Sequence, residues 1–248
     1  MQTISALKNI SIVLVETKTP ANIGAVARCM MNMGLSRLVL VRPPQDRHGD
    51  ASRLAAGAQQ ILDAASVYSS LREAVADQGL VIGTSRHEGR QRKNIRTPRV
   101  VAEQVIPLLG KNTVSVVFGN EVNGLENEDL ALCHELIAIP SSDAFPSLNL
   151  SHAVMVVAYE LFAASRGPIA PVDVELALEQ DLENFYVHLQ KTLKDIGFLD
   201  RDQPERMMFS LRQIFGRARL NARDVSILRG VLNNVDRVAG SKREEGEK

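Results

Sequence analysis

The chain has 248 residues, 45% hydrophobic and 23% charged, enough to bury an ordinary core with room for one large domain and a smaller one. Its 29 basic and 29 acidic side chains cancel to a net charge of zero, so bulk charge gives no case for a nucleic-acid partner and any such case must come from local clusters. Two cysteines, Cys29 and Cys133, exclude a disulfide framework, and no apolar run approaches the roughly 18 residues of a membrane span.

The N-terminal stretch MQTISALKNI has neither the basic start nor the long apolar run of a signal peptide, so a cytoplasmic protein without a membrane anchor is expected. Apolar, β-branched runs then recur at Ile10 to Thr17, Arg37 to Pro43, the SVYSS stretch, Gly79 to Ser85, Thr113 to Gly119 and Glu135 to Ser141. Such short, nearly continuous runs suit strands buried on both faces. Between them lie helical patterns at Ala21 to Met33, Ser52 to Leu62, Ser70 to Asp77, Pro98 to Leu109, Asn127 to His134 and Leu148 to Ser165. This alternation predicts an α/β domain with a parallel sheet over residues 1–166.

After Arg166 the text changes. The RGPIAPVD stretch reads as a linker at 167–173. Beyond it, Val174 to Ile196, Pro204 to Phe215 and Asp224 to Val238 show apolar residues at helical spacing, which predicts a small all-helical extension over 174–240. The charged tail 241–248 is expected to be disordered.

Ligands of an open parallel sheet bind beyond the carboxyl ends of its strands, so the residues just after each strand matter most. After the first strand neither the G-x-G-x-x-G turn of a dinucleotide fold nor a phosphate-binding P-loop is present. Asn22, Gly24 and Arg28 stand there instead, with Gly24 and Arg28 four residues apart on one helix face. A cap, a close backbone approach and a solvated cation would explain these three without function. After the fifth strand, FGNEVNGLENEDL turns through Asn120 and Asn123-Gly124 and carries Glu121 in mid-turn, with Asn127 as a candidate helix cap. After the sixth, Pro140 and Pro146 bracket a polar loop, Ser147 is a candidate cap, and the following helix is apolar on nearly every side. Its polar first turns, Asn149, Ser151 and His152, need partners or a use, and its surplus apolar surface suggests a subunit interface.

Taken together, N-x-G-x-x-x-R at Asn22 to Arg28, F-G-x-E-x-x-G-L at Phe118 to Leu125, and I-P through S-L-N at Ile139 to Asn149 are similar to the three motifs of SPOUT-class RNA 2'-O-ribose methyltransferases of the TrmH group. The stretch IVLVETKTPANIGAVARCMMNMG and the trailing helical segment with DLENFYVHLQKTL and ILRG resemble the TrmJ branch. The resemblance implies a SPOUT domain with a C-terminal trefoil knot that cradles S-adenosylmethionine, S-adenosylhomocysteine as product, and a homodimer whose active site is built by both subunits. The implied substrate is tRNA, at the cytidine or uridine of position 32 that opens the anticodon loop. Ribosomal RNA, another tRNA position, or non-catalytic RNA binding on the same fold are the alternatives.

By matching position, the resemblance makes Arg28, Glu121 and Asn149 catalytic, with Arg28 holding developing oxygen charge and the other two orienting it or the hydroxyl. It assigns the methyl donor to Thr84, Ser85, Arg86, Gly119, Ile139, Pro146, Ser147 and Leu148. The segment Ser85 to Arg99 holds six Arg or Lys against one Glu; within it Arg90, Arg92, Lys93 and Arg96 are expected to contact RNA phosphates. A second set, Arg206, Arg212, Arg217, Arg219, Arg223 and Arg229, is expected to let the extension grip tRNA. The five histidines lack metal-ligand spacing, so no metal is expected. Cys29 is expected to belong to the core rather than to act as a nucleophile.

Overall fold

The computed structural model describes residues 7–45, 49–85, 95–199 and 204–246, with 241–246 as backbone alone. All six expected strands form: β1 (Ile10–Val15), β2 (Arg37–Val41), β3 (Ser66–Tyr68), β4 (Leu80–Thr84), β5 (Val114–Phe118) and β6 (Glu135–Ile137). They build one sheet in the order β3-β2-β1-β5-β4-β6, and every pair is parallel. The central strands β1 and β5 are buried along their whole length, which is why their sequences read as unbroken apolar runs.

The helices of this domain are α1 (Pro20–Asn32), α2 (Gly49–Ala55), α3 (Gln59–Asp63), α4 (Leu71–Val75), α5 (Pro98–Val105), α6 (Asn127–Ala131) and α7 (Leu150–Arg166). On one face of the sheet Ile10, Ile12, Leu14 and Val116 meet apolar residues of α1, α2, α5 and α7. On the other, Val13, Val15, Val81 and Val117 meet Leu71 and Val75 of α4 and Leu130 of α6. Where one helix is expected over Ser52 to Leu62, two form. Ala56 and Gly57 take φ of 35° and 92°, and a right-handed helix cannot run through that conformation. The break lets α2 lie against α1 so closely that a Cβ on Gly24 would come within 2.0 Å of the Ala51 carbonyl oxygen. Gly24 therefore serves close helix packing.

The extension consists of α8 (Glu179–Asp195), α9 (Pro204–Ala218) and α10 (Ala222–Gly246) around its own core of Phe185, Tyr186, Leu189, Met208 and Val225. α8 starts five residues later than the periodicity suggests. Residues just before it are not helical, with Leu176 bridged to Asn221 and its N–H donated to Asn112 Oδ1 at 2.8 Å. α10 continues through Gly246, into the tail expected to be disordered.

The extension is fastened to the sheet domain by buried polar pairs. His134 Nδ1 accepts the Val81 N–H at 3.1 Å, so its proton sits on Nε2 and is donated to Glu179 Oε2 at 2.5 Å. Gly216 of α9 packs so that a Cβ would meet the His134 carbonyl oxygen at 3.0 Å. Glu183 is held by Arg72 of α4 and Arg212 of α9, and Arg212 lies 4.3 Å from the Tyr186 ring centroid. Burial pushes the Glu183 carboxyl up, but the two guanidinium groups outweigh it and hold it below the usual carboxylate range. Arg219 pairs with Glu135 at 2.7 Å. Two of the six arginines expected to grip tRNA, Arg212 and Arg219, are thus committed inside the protein, because carboxylates this deep need a paired cation.

Candidate functional site

A cavity opens beyond the carboxyl ends of β4, β5 and β6, encloses about 950 Å³ including space open to solvent, and is lined mainly by three separated segments. Thr84 and Ser85 enter from the end of β4, Gly119 to Glu121 and Asn123 to Leu125 from the end of β5, and Ile139 with Pro146 to Leu148 from the run that leads from β6 to α7. Seven of the eight residues assigned to the methyl donor line it, and the eighth, Arg86, lies outside the described residues. Phe118, Asn120 and Leu125 of the motif after β5 also line it, and Leu130, Ile137, Leu150 and Ala153 complete the wall, none of them singled out for the methyl donor from the sequence. Most are apolar residues that core packing would also place in strands and helices, so nothing in their spacing separates them from ordinary core.

The β5 segment owes its shape to two asparagine and glycine devices. Asn120 Oδ1 accepts the N–H groups of Val122 and Asn123 at 3.0 and 2.8 Å, an Asx turn. Gly124 turns back at φ 75° and donates to the Asn120 carbonyl at 3.0 Å. The returning chain then lies against Gly119, where a Cβ would meet the Gly124 carbonyl carbon at 2.0 Å. Only glycine fits that position.

Glu121 sits at the lip of the cavity and is a hub. Its Oε2 accepts the Lys18 N–H at 2.9 Å, and its Oε1 accepts the Thr19 N–H at 3.3 Å and an Asn22 Nδ2 hydrogen at 2.7 Å. Asn149 Nδ2 in turn donates to Asn22 Oδ1 at 3.1 Å, while Asn149 Oδ1 caps α7 by accepting from the Ser151 N–H at 2.9 Å and its hydroxyl at 2.7 Å. One continuous chain of hydrogen bonds therefore joins all three sequence motifs. Burial pushes the Glu121 carboxyl up, but these donors prevail and hold it below the usual carboxylate range. Ser147 lies in the cavity wall, and Asn149 is the cap in its place.

Arg28 does not line this cavity. It is exposed on α1, and it makes no hydrogen bond or ion pair among the described residues. Exposed Met31 of α1 and exposed Val156 and Tyr159 of α7 mark apolar surface on the same two helices. Cys29 Sγ lies 3.5 Å from the Ser151 carbonyl, and burial pushes its thiol up, away from nucleophilic use. Of the basic segment, Arg90, Arg92 and Lys93 lie outside the described residues. Arg96 is described, and its guanidinium is tied inward to Gln104 and lies 3.8 Å from Glu135 Oε2. No group of three metal-ligating side chains occurs among the described residues, and no described helix is long and apolar enough to cross a membrane.

Residues 9–159 match the model of the SpoU rRNA Methylase family, and residues 180–245 match that of the tRNA methyltransferase TrmJ, C-terminal domain. The chain is 42% identical over 246 residues to the tRNA (cytidine/uridine/adenosine-2'-O-)-methyltransferase TrmJ of Pseudomonas aeruginosa, covering 94% of this chain and 96% of the relative. It is 39% identical to the tRNA (cytidine/uridine-2'-O-)-methyltransferase TrmJ of Escherichia coli, covering 93% and 96%. Among solved structures it is similar to TrmJ from Z. mobilis, with a TM-score of 0.78 and 34% identity over 91% of this chain and 98% of that one.

Proposed function

Because this chain belongs to the SpoU rRNA Methylase family and carries the C-terminal domain of TrmJ proteins, we propose that it is an S-adenosylmethionine-dependent tRNA methyltransferase. It alkylates the ribose 2'-hydroxyl of cytidine or uridine, with position 32 of the anticodon loop as the target, and so works in the cytoplasm. The observation that carries this reading is the double placement of Glu121, at once in the cavity wall and hydrogen-bonded to the Asn22 segment.

The cavity fits the donor in character. Its apolar walls carry a few convergent polar groups: the side chains of Leu125, Leu130 and Ile139 offer apolar surface, Thr84 and Ser85 offer hydroxyls, and Gly119 lets backbone come close. When bound, the donor supplies a methyl group activated by its sulfonium centre and leaves as S-adenosylhomocysteine. The chain's own residues align and stabilise. Glu121 already accepts three hydrogen bonds, so it holds Asn22 and the start of α1 in place rather than taking a proton. Asn149, fixed by Asn22 and Ser151, presents the start of α7 to the cavity.

Arg28 supports the developing charge on the ribose oxygen through a guanidinium that stays protonated and offers five donors. The hydroxyl proton passes to solvent as the O–C bond forms and the C–S bond breaks. The exposure of Arg28 on α1, together with the exposed apolar Met31 of α1 and Val156 and Tyr159 of α7, supports a homodimer packed through α1 and α7, in which each copy's Arg28 completes the other's cavity. The trefoil knot belongs to the same reading, with the segments 119–125 and 139–149 as its loops.

The test is mass-spectrometric mapping of ribose methylation in purified tRNA and ribosomal RNA treated with the protein. A methyl group on a tRNA pyrimidine ribose, falling by about a hundredfold in rate for Arg28→Ala as expected for loss of a charge-stabilising donor, is the expected result. Methylation confined to ribosomal RNA, or full activity without Arg28, overturns it.

A further inference from the structure

Glu135 opens β6, and its side chain is only 6% exposed. Its Oε1 accepts from Arg219 Nε at 2.9 Å and Nη2 at 2.7 Å. Its Oε2 is buried and accepts no hydrogen bond among the described residues; Arg96 Nη1 lies 3.8 Å from it. Arg219 Nη2 also donates to Gln104 Oε1 at 3.2 Å, the oxygen that Arg96 Nη1 meets as well. Two guanidinium groups, one from the sheet domain and one from the extension, thus share one carboxylate and one amide. Arg219 is held there in a left-handed conformation, φ 50°, which a side chain rarely adopts without support.

This array sits on the short strand at the cavity's edge. Arg96 pairs by backbone with the far side of β6, its N–H donating to the Leu136 carbonyl at 3.1 Å and its carbonyl accepting from Ala138 at 3.0 Å. The same stretch supplies Ile137 and Ile139 to the cavity wall, and Ser85 N–H reaches the Ile137 carbonyl at 2.9 Å. A three-residue strand has few ladder bonds of its own, so its placement depends on what braces its outer edge. Without Arg219 the buried carboxylate keeps no hydrogen-bond donor among the described residues, and a carboxylate cannot stay buried and unpaired. It must turn toward water or draw Arg96 inward, and either displaces the strand that shapes the cavity.

We propose that Arg219 is a positioning residue for methyl transfer: from the helical extension it fixes Glu135 and Arg96, and so sets the β6 wall of the methyl-donor cavity. The extension thereby acts on the donor as well as on RNA. This rests on the function proposed above.

The test uses the full-length protein and titrates S-adenosylmethionine by calorimetry with no RNA present, alongside tRNA binding measured separately. Arg219→Gln is expected to raise the donor dissociation constant about fivefold, the size of effect expected for a residue coupled to a site it does not touch, with tRNA affinity changed less than about twofold. Arg219→Lys, which keeps the cation, should recover most of the loss. Glu135→Gln removes the buried charge altogether, so it folds even where Arg219→Gln does not, and it should weaken the donor to a similar degree. Unchanged donor affinity in either folded variant overturns the proposal, and loss of tRNA affinity alone would make Arg219 an RNA contact instead. Wild-type protein that binds no S-adenosylmethionine overturns the proposed function and this inference together, whereas wild type and variants that bind it equally overturn only the positioning role.

Discussion

Glu121→Gln isolates the hub of the site with little change in shape. The carboxylate accepts three hydrogen bonds, two of them from the backbone of Lys18 and Thr19 and one from Asn22. The amide keeps one acceptor oxygen. If that oxygen serves Thr19 and Asn22, the amide NH₂ must face the Lys18 N–H, donor against donor. One charge-assisted bond is lost, the others become neutral, and the group is only half-buried, so the cost is about 2 kcal/mol at neutral pH. The folded carboxyl is held below its ordinary value. Its contribution to stability is therefore present above the unfolded value, about 4.3, and is lost as pH falls through the depressed folded value. Urea unfolding of wild type and Glu121→Gln, measured at pH 7 and at intervals below pH about 5, should show two curves that differ at neutral pH and converge in acid. The same variant should lose methyl transfer with donor binding partly retained, because Asn22 and Asn149 are no longer fixed. A stability gap that persists unchanged into acid would refute the claim that an ionised Glu121 joins the three motifs.

Two further outcomes follow from the packing and from the charges left on the surface. Gly24→Ala places a Cβ 2.0 Å from a backbone oxygen of α2, which no rotamer can relieve; overpacking of this kind costs about 3 kcal/mol and lowers the melting temperature of a domain this size by roughly 6–12 °C, read by calorimetry. Arg217, Arg223 and Arg229 are exposed and make no ion pair among the described residues, so replacing all three by Gln should weaken tRNA binding and reduce the slope of log affinity against log salt by about 2, while Arg212→Gln should instead lower stability.

The strands were readable because a parallel sheet buried on both faces demands apolar runs, and each run here became a strand. The loops of the cavity were readable for a different reason, since the topology of an open sheet puts ligands at strand ends, whereas the individual positions such as Gly119, Pro146 and Ser147 came from their match to the motifs of the resembled family. Features hidden from the sequence are those set by backbone groups and by distant partners. Glu121 takes two of its three hydrogen bonds from main-chain N–H groups, which carry no residue signature. The break at Ala56 and Gly57 lay inside a run of alanines and leucines that favours helix. Arg212 and Arg219 look in sequence like the exposed arginines around them; their partners, Glu183 and Glu135, are 29 and 84 residues away, and only the fold reveals that each is spoken for.

That division of the arginines resolves how a chain of zero net charge could hold RNA. Charge balance over 248 residues conceals two populations. Arg72, Arg96, Arg212 and Arg219 meet Glu183 and Glu135 where the extension joins the sheet domain, so two carboxylates offset half of this charge and hold all four guanidinium groups in place. Arg28, Arg217, Arg223 and Arg229 have no such partner among the described residues and keep their full charge at the surface. A polyanion responds to the second population alone, since counterion release counts only cations free to meet a phosphate. The interior pairs serve a different end, making the helical extension and the edge of the sheet one unit. Contact made by the exposed arginines of α9 and α10 can therefore bear on the strand that walls the cavity.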